Sequence, residues 1–302
     1  MNVLIVGGSG LIGGEIALHL RKHGHDVTIM ARKIPQAPVL AALAFLQGDY
    51  VNDDCGDGRL AGFDSLVFAA AADIRNLPYD GSVTPEEFYT KYNDVAVPRF
   101  FTAAKAAGIQ RAVYIGTFYP VVAPAQIGQC AYVTSRHNTD VAVRALNSAD
   151  FKVCCLNAPF VLGQIAGLDT PHITALVHYV QGAIPDLPLF APTGGTNHIS
   201  SHSLAQAALN ALENGEGGKG YLVGDENLSW KDYLEIWCEA AGNPRQLEVR
   251  EDDHPMLPNV IMFAGPGASI QYEPEDMALL KYDRQCIRPL IQQIATSLSA
   301  VE

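Results

Sequence analysis

The run Gly7-Gly8-Ser9-Gly10-Leu11-Ile12-Gly13 has the spacing with which a backbone holds a pyrophosphate. Gly7 permits a tight turn, Gly10 lets the chain approach phosphate oxygens without a Cβ, and Gly13 lets a helix lie close to the preceding strand. A helix opening at this point adds free N–H donors and partial positive charge. The alternative is a glycine-rich turn that binds nothing. Context argues against it, because an apolar strand at residues 3–6 enters the run and an amphipathic helix over Leu11–Lys22 leaves it. Gly7, Ser9, Gly10, Leu11, Ile12 and Gly13 therefore read as residues that hold a dinucleotide.

Enzymes that take NAD place Asp or Glu at the end of the second strand, about 20 residues beyond the glycines, on the ribose hydroxyls. The corresponding place here reads Met30-Ala31-Arg32-Lys33. A carboxylate would repel a 2′-phosphate, whereas Arg32 can grip one with its planar fork. The expectation is NADP rather than NAD; the other reading of Arg32 is a solvated surface charge.

A second group of residues can move a proton. Tyr132 and Arg136 lie four apart on a helical pattern and so share one helix face. A free phenol titrates at about 10, and bringing it to about 7 takes about 4 kcal/mol of preferential phenolate stabilisation, much of which a nearby cation can supply. Thr117, at a strand end, can hydrogen-bond a substrate oxygen. Each has a plainer reading: Tyr132 as a partly buried aromatic, Thr117 as a group satisfying strand-end backbone, and Arg136 as the i,i+4 partner of Asp140.

The elements that position these groups alternate. Strands are predicted at residues 3–6, 27–30, 45–47, 65–70, 112–115 and 152–156. Helices are predicted over Leu11–Lys22 and over 39–45, 85–107 and 132–146. Residues 66–70 are apolar at every position, as in strands covered on both faces. The expected fold class is α/β, a Rossmann-type doubly wound parallel sheet with a smaller C-terminal substrate lobe. Beyond Pro159 the pattern loosens. A strand is expected at 198–200, a helix at 203–213, a strand at 221–223, a helix at 230–241, and a helical tail over 275–298 interrupted at Pro289. The division expected is a dinucleotide domain over 1–160, with 196–224 woven back into it, and a lobe from 161–195 and 225–302.

The chain has 302 residues, 48% hydrophobic, with a formal charge of −12. That charge repels a phosphodiester backbone, so nucleic acid is not an expected partner. The six cysteines show no zinc spacing, no metal site is expected, and Cys154 and Cys155 read as buried thiols. No apolar run approaches ~18 residues and no leader pattern precedes the first strand, so the expectation is a soluble cytoplasmic protein without a membrane partner. His172, His178, His198 and His202 lack a Ser/Asp partner pattern and read as pocket rim or surface. Cys130, two residues before Tyr132, is placed on the pocket wall without a catalytic role.

Taken together, the chain resembles the extended short-chain dehydrogenase/reductase family. The resemblance rests on the glycine run, Gly48-Asp49, residues 69–72, Tyr92-Asn93-Asp94-Val95, Ile115-Gly116-Thr117, residues 132–136, and Ala158-Pro159-Phe160-Val161-Leu162-Gly163. It covers most of the chain to about Gly242, and its second-half phrases look most like the dihydroflavonol-reductase and 3β-hydroxysteroid-dehydrogenase branch or generic epimerase/dehydratase relatives. It implies that Asp49 faces adenine, that Ala70 and Pro159 contact the cofactor, and that Thr117, Tyr132, Arg136 and Asn93 serve catalysis. Asn93 also reads as a buried residue that stabilises its helix. The family has Lys where this chain has Arg136, and many relatives have a second Ser where it has Gly116. Arg136 keeps the charge and can hold ribose hydroxyls, but as a guanidinium it is a poor link in a proton relay.

The leading expectation is an NADP-dependent oxidoreductase that interconverts a carbonyl and an alcohol on a small or medium, apolar substrate, with residues 173–180 supplying an apolar second lobe. The alternatives are a sugar-nucleotide epimerase or dehydratase with a retained cofactor, for which Arg245 and Arg250 are the available cations, and a non-catalytic NADP-binding regulator. A homodimer is the assembly expected from the resemblance.

Overall fold

A computed structural model describes residues 1–72, 74–78 and 80–299. The first half runs β1 (Asn2–Val6), α1 (Leu11–Lys22), β2 (Asp26–Ala31), α2 (Pro38–Ala41), β3 (Ala44–Gln47), β4 (Ser65–Phe68), α3 (Pro85–Tyr89), a π-helical turn (Thr90–Val95), α4 (Ala96–Ala106), β5 (Arg111–Thr117), α5 (Tyr119–Val122), α6 (Ala131–Ala145) and β6 (Lys152–Ala158). The second half runs β7 (Phe160–Leu162), α7 (Pro171–Gln181), β8 (Ala191–Pro192), β9 (Gly195–Ser200), α8 (Ser201–Asn214), β10 (Gly220–Leu222), β11 (Glu226–Ser229), α9 (Trp230–Ala240), β12 (Val249–Arg250), α10 (Met277–Leu280) and α11 (Ile287–Ser299).

Seven strands form one parallel sheet in the order β10-β6-β5-β4-β1-β2-β3. The fold is the expected Rossmann-type α/β sheet. The chain winds outward from β1 to β3, then returns to the other side of β1 and continues through β4, β5 and β6. The order therefore reverses between β1 and β4, which opens a crevice at their C-terminal ends. Apolar strand faces explain the layers: Ile5, Val67 and Val113 pack against α1 and α8 on one side, while Leu4, Phe68 and Tyr114 pack against α4 on the other. A second core, centred on Trp230, Tyr233 and Trp237, joins α7, α9 and α11.

Several expected boundaries moved. The helix expected over 39–45 is a single turn, because pairing of β3 with β2 takes up the chain from Ala44 onward. The helix expected over 85–107 is interrupted by the π turn; Pro98 has no N–H to give Asp94, so the ordinary ladder cannot run through this stretch. In the tail, Pro289 lies in the first turn of α11, where a missing N–H leaves nothing unsatisfied, rather than breaking a helix. The preceding break is held by buried Asp225, which accepts from the N–H groups of Gln285 (2.5 Å) and Cys286 (2.9 Å). Of residues 196–224, β10 extends the large sheet and α8 covers it, whereas β9 lies between β7 and β11 in a separate three-stranded sheet. The last three residues of the expected C-terminal lobe, 300–302, lie outside the described residues. All six cysteines are free thiols, and Cys154 and Cys155 are buried in β6.

His198 departs from the expected rim or surface position. It is fully buried on β9, stacked on Tyr233 at 4.7 Å, with Trp230 and Phe160 around it. Burial lowers its pKa to about 4, against a hydrogen bond to the Thr196 carbonyl that favours the charged form. The unfolded chain, with an ordinary histidine near 6.5, takes up the proton first. The stability due to neutral His198 is therefore complete above pH ~6.5 and is lost as the pH falls toward 4, to a total of about 3 kcal/mol. Denaturant midpoints measured across that window are expected to fall for the wild type and to fall distinctly less for His198→Phe; parallel profiles would show that the ring is not neutral at the outset.

Candidate active site

The crevice between β1 and β4 holds a cleft of about 380 Å³. Gly7, Ser9 and Gly10 form its floor, Arg32 and Asp49 stand at the ends of β2 and β3, and residues 69–72 follow β4 along the opposite wall. Gly7 has φ +84°, and a Cβ on it would lie 2.8 Å from the Ala70 nitrogen. A Cβ on Gly13 would overlap the Gly7 carbonyl oxygen, so this glycine serves the close packing of α1 on β1. Gly10 differs. It is exposed, its φ is −95°, and the nearest atom a Cβ would meet is the Gly7 oxygen at 3.6 Å. Among the described residues nothing requires glycine there, whereas a ligand lying against the loop would. No side chain caps α1 at Gly10, so the first-turn donors are left to the cleft. These features fit a dinucleotide. Leu11 and Ile12 are half-buried in the first turn of α1, and Pro159 is buried just after β6.

Arg32 is exposed on the cleft wall, and no carboxylate stands at the end of β2. The Asp49 carboxylate accepts from the Val51 N–H (2.9 Å) and the Asn52 amide (2.8 Å). Burial pushes the Asp49 carboxyl up, but these hydrogen bonds and the charge of Arg32 outweigh it and hold the group below its usual range. Asn93 sits in the π turn, fully buried. Its Oδ1 accepts from the Ala72 N–H (3.0 Å) and its Nδ2 donates to the Ala72 carbonyl (3.2 Å). It thereby fixes the strand-end wall of the cleft through the backbone.

Ala72, Phe88, Tyr89, Tyr132 and Val133 form one apolar cluster, which joins the cleft to the second group of predicted residues. Tyr132 is the second residue of α6 and is 9% exposed. Phe263 stacks on its ring at 4.2 Å and 23°, and Tyr89 meets it edge-on at 5.5 Å. One helical turn on, buried Arg136 lies beneath: its guanidinium carbon is 5.9 Å from the Tyr132 ring and 5.4 Å from the Tyr114 ring, and it donates to the Ile115 carbonyl (3.0 Å). Asp140 receives two bonds from Arg144, at 2.8 and 2.5 Å. Thr117 closes β5 opposite Ala158 and is 9% exposed. Gly116 pairs with Asn157 across β5 and β6, and a Cβ on it would overlap the Asn157 amide oxygen. A side chain at 116 would therefore displace the Asn157 amide.

Such an arrangement can hold a dinucleotide along its phosphates and present a phenol, backed by a permanent cation, to an apolar space. Phe263, Tyr89 and Tyr119 were not legible as parts of it. Phe263 lies in a stretch without periodicity and reaches Tyr132 only through tertiary folding. Among the described residues no group of three or more His, Cys, Asp or Glu could hold a metal, and no helix is long and apolar enough to cross a membrane.

Residues 3–224 match the model of the NAD dependent epimerase/dehydratase family. A UDP-glucose 4-epimerase of Corynebacterium glutamicum is 26% identical over 279 residues, covering 82% of this chain and 83% of that protein. A 3-beta-hydroxysteroid dehydrogenase of Mycolicibacterium neoaurum is 31% identical over 114 residues, 37% of this chain and 31% of that protein. A UDP-glucose-4-epimerase of Stenotrophomonas maltophila, solved with NAD and formylated UDP-arabinopyranose, shares the fold with a TM-score of 0.75 at 16% identity over 100% of both chains.

The glycines make separable predictions. Gly10→Ala is expected to leave the thermal midpoint of the free protein close to wild type while weakening dinucleotide binding about tenfold or more, since a methyl then stands where the loop is expected to meet the phosphates. Gly13→Ala is expected to lower the midpoint itself. Paired calorimetry and nicotinamide titration check both; equal loss of stability in the two variants would contradict the assignment of Gly10 to the ligand.

Proposed function

Because the chain belongs to the NAD dependent epimerase/dehydratase family, we propose that it is an NADP-dependent oxidoreductase that interconverts a carbonyl and an alcohol on a small or medium, apolar substrate. The observation that carries the reading is the Tyr132 phenol set in an aromatic surround, with the buried Arg136 guanidinium carbon 5.9 Å from its ring centroid.

The residues of the glycine loop would hold a dinucleotide, whose nicotinamide when bound would supply hydride chemistry for reduction of a carbonyl. Tyr132 gives its phenolic proton to the oxygen as negative charge develops there. Arg136 stabilises the phenolate left behind. It does so as a fixed charge, held by its bond to the Ile115 carbonyl, and takes no part in relaying the proton. Thr117 holds the substrate oxygen from the end of β5. Asn93 keeps the wall at Ala72 in place. Arg32, exposed on the cleft and free of a neighbouring carboxylate on its own strand end, holds the 2′-phosphate that distinguishes NADP from NAD.

The match to a UDP-glucose 4-epimerase over most of the chain favours a second reading, a sugar-nucleotide epimerase with a retained cofactor. That chemistry needs cations for a diphosphate in the C-terminal lobe. Arg250 is already held by Glu248 at 2.6 Å, and Arg245 is exposed and bonded to Asn243. A cofactor that copurifies with the protein would favour this second reading.

Tyr132→Phe is expected to lower turnover of a carbonyl panel by about 10²–10⁴-fold, with NADPH affinity unchanged. Survival of turnover in that variant would refute the proton-donor role. Arg32→Ala is expected to weaken NADPH about tenfold or more and to leave NADH nearly unaffected, because only the former loses a charge-assisted bond. Tighter binding of NADH than of NADPH by the wild type would refute the NADP assignment.

A further inference from the structure

A second cavity, of about 290 Å³, opens beside Tyr132. Tyr89, Cys130 and Tyr132 meet Val260, Met262 and Phe263 in its wall. None of the described side chains that line it is charged, and Gln126 supplies its amide. A charged substrate group entering here would be left unpaired against an apolar surface.

Phe263 stands apart from the rest of this wall. Its ring closes one face of the Tyr132 phenol at 4.2 Å and 23°, and it meets Tyr119 edge-on at 5.4 Å. The segment that carries it is braced on both sides. Asn259 N–H donates to the Asp253 carboxylate (2.7 Å), and the Tyr119 hydroxyl donates to the Ile261 carbonyl (3.5 Å). Beyond Phe263, Gly265 (φ +107°) and Gly267 (φ +72°) turn the chain back to β9, where Gly195 N–H donates to the Ala268 carbonyl (3.1 Å). The phenylalanine is thus presented by a fixed turn.

We propose that Phe263 is a positioning and specificity-determining residue, which holds the Tyr132 ring in one orientation and selects an uncharged carbonyl compound with a flat, unsaturated or aromatic face. The inference rests on the reading of Tyr132 as proton donor. A flat apolar group can lie against the stacked pair in offset or edge-on contact, whereas a saturated or charged group gains less from the same wall.

The test uses the full chain loaded with NADP. Acetophenone, cyclohexanone and UDP-glucose are titrated by calorimetry, and KM and kcat are measured with NADPH for the same compounds. Phe263→Ala is expected to weaken acetophenone binding and raise its KM about tenfold or more, with NADPH affinity held within about twofold, and Phe263→Tyr is expected to restore both. The inference is overturned if Phe263→Ala binds acetophenone as the wild type does, if it loses NADPH affinity in step, or if the wild type binds UDP-glucose more tightly than acetophenone or binds no uncharged aryl carbonyl at all. Tyr132→Phe separates the two readings: it keeps a ring under Phe263, so acetophenone binding is expected to persist while turnover is lost. If turnover persists instead, the proton-donor reading falls, and the binding results still decide the role of Phe263.

Discussion

The candidate site depends on the pairing of β1 with β4. That register, Val6 opposite Phe68, brings the glycine loop and residues 69–72 to the same edge of the sheet, close enough that Gly7 tolerates no side chain against Ala70. The crevice is therefore a product of winding order, and the residues beside it are released from core duty because residues 3–6 and 66–68 beneath them are buried and apolar. The buried amide of Asn93 then links this edge to the helical layer, and the aromatic cluster from Ala72 to Tyr132 carries the same edge on to the phenol.

Much of the sheet was legible because its constraints are local. Strands buried on both faces are apolar throughout, helices between them repeat every three to four residues, and a glycine run between the two has few other uses. The boundaries that failed did so where tertiary bonding overrode local pattern. Leu40 and Leu43 have helical spacing, yet strand pairing takes the chain at Ala44. The tail contains a helical pattern, yet it is broken ahead of Ile287, where Asp225, some 60 residues earlier, accepts from the Gln285 and Cys286 N–H groups and sets where α11 begins.

The site divides in the same way. The loop, Arg32 and the Tyr132–Arg136 spacing are local patterns and could be read in order along the chain, whereas Asp49 was pointed to only by the family resemblance. The partners of Tyr132 could not be read, since Tyr89, Tyr119 and Phe263 come from three separate segments with no shared period. His198 illustrates the opposite error. A histidine among polar neighbours looks like a surface group, but alternation on β9 turns it into an aromatic core, where it remains neutral.

The contact between Gly116 and Asn157 has a consequence for how this sequence can change over generations. The two positions face each other across β5 and β6, and the amide oxygen of one fills the volume that a β-carbon on the other would need. A serine at 116 would require the Asn157 amide to swing aside, while loss of the asparagine alone would leave a gap beside Gly220. The pair is expected to vary jointly among relatives, with a hydroxyl at 116 accompanied by a smaller side chain at 157. A side chain at 116 therefore asks for a shift or a replacement of the side chain at 157, so the two positions form one mutational unit.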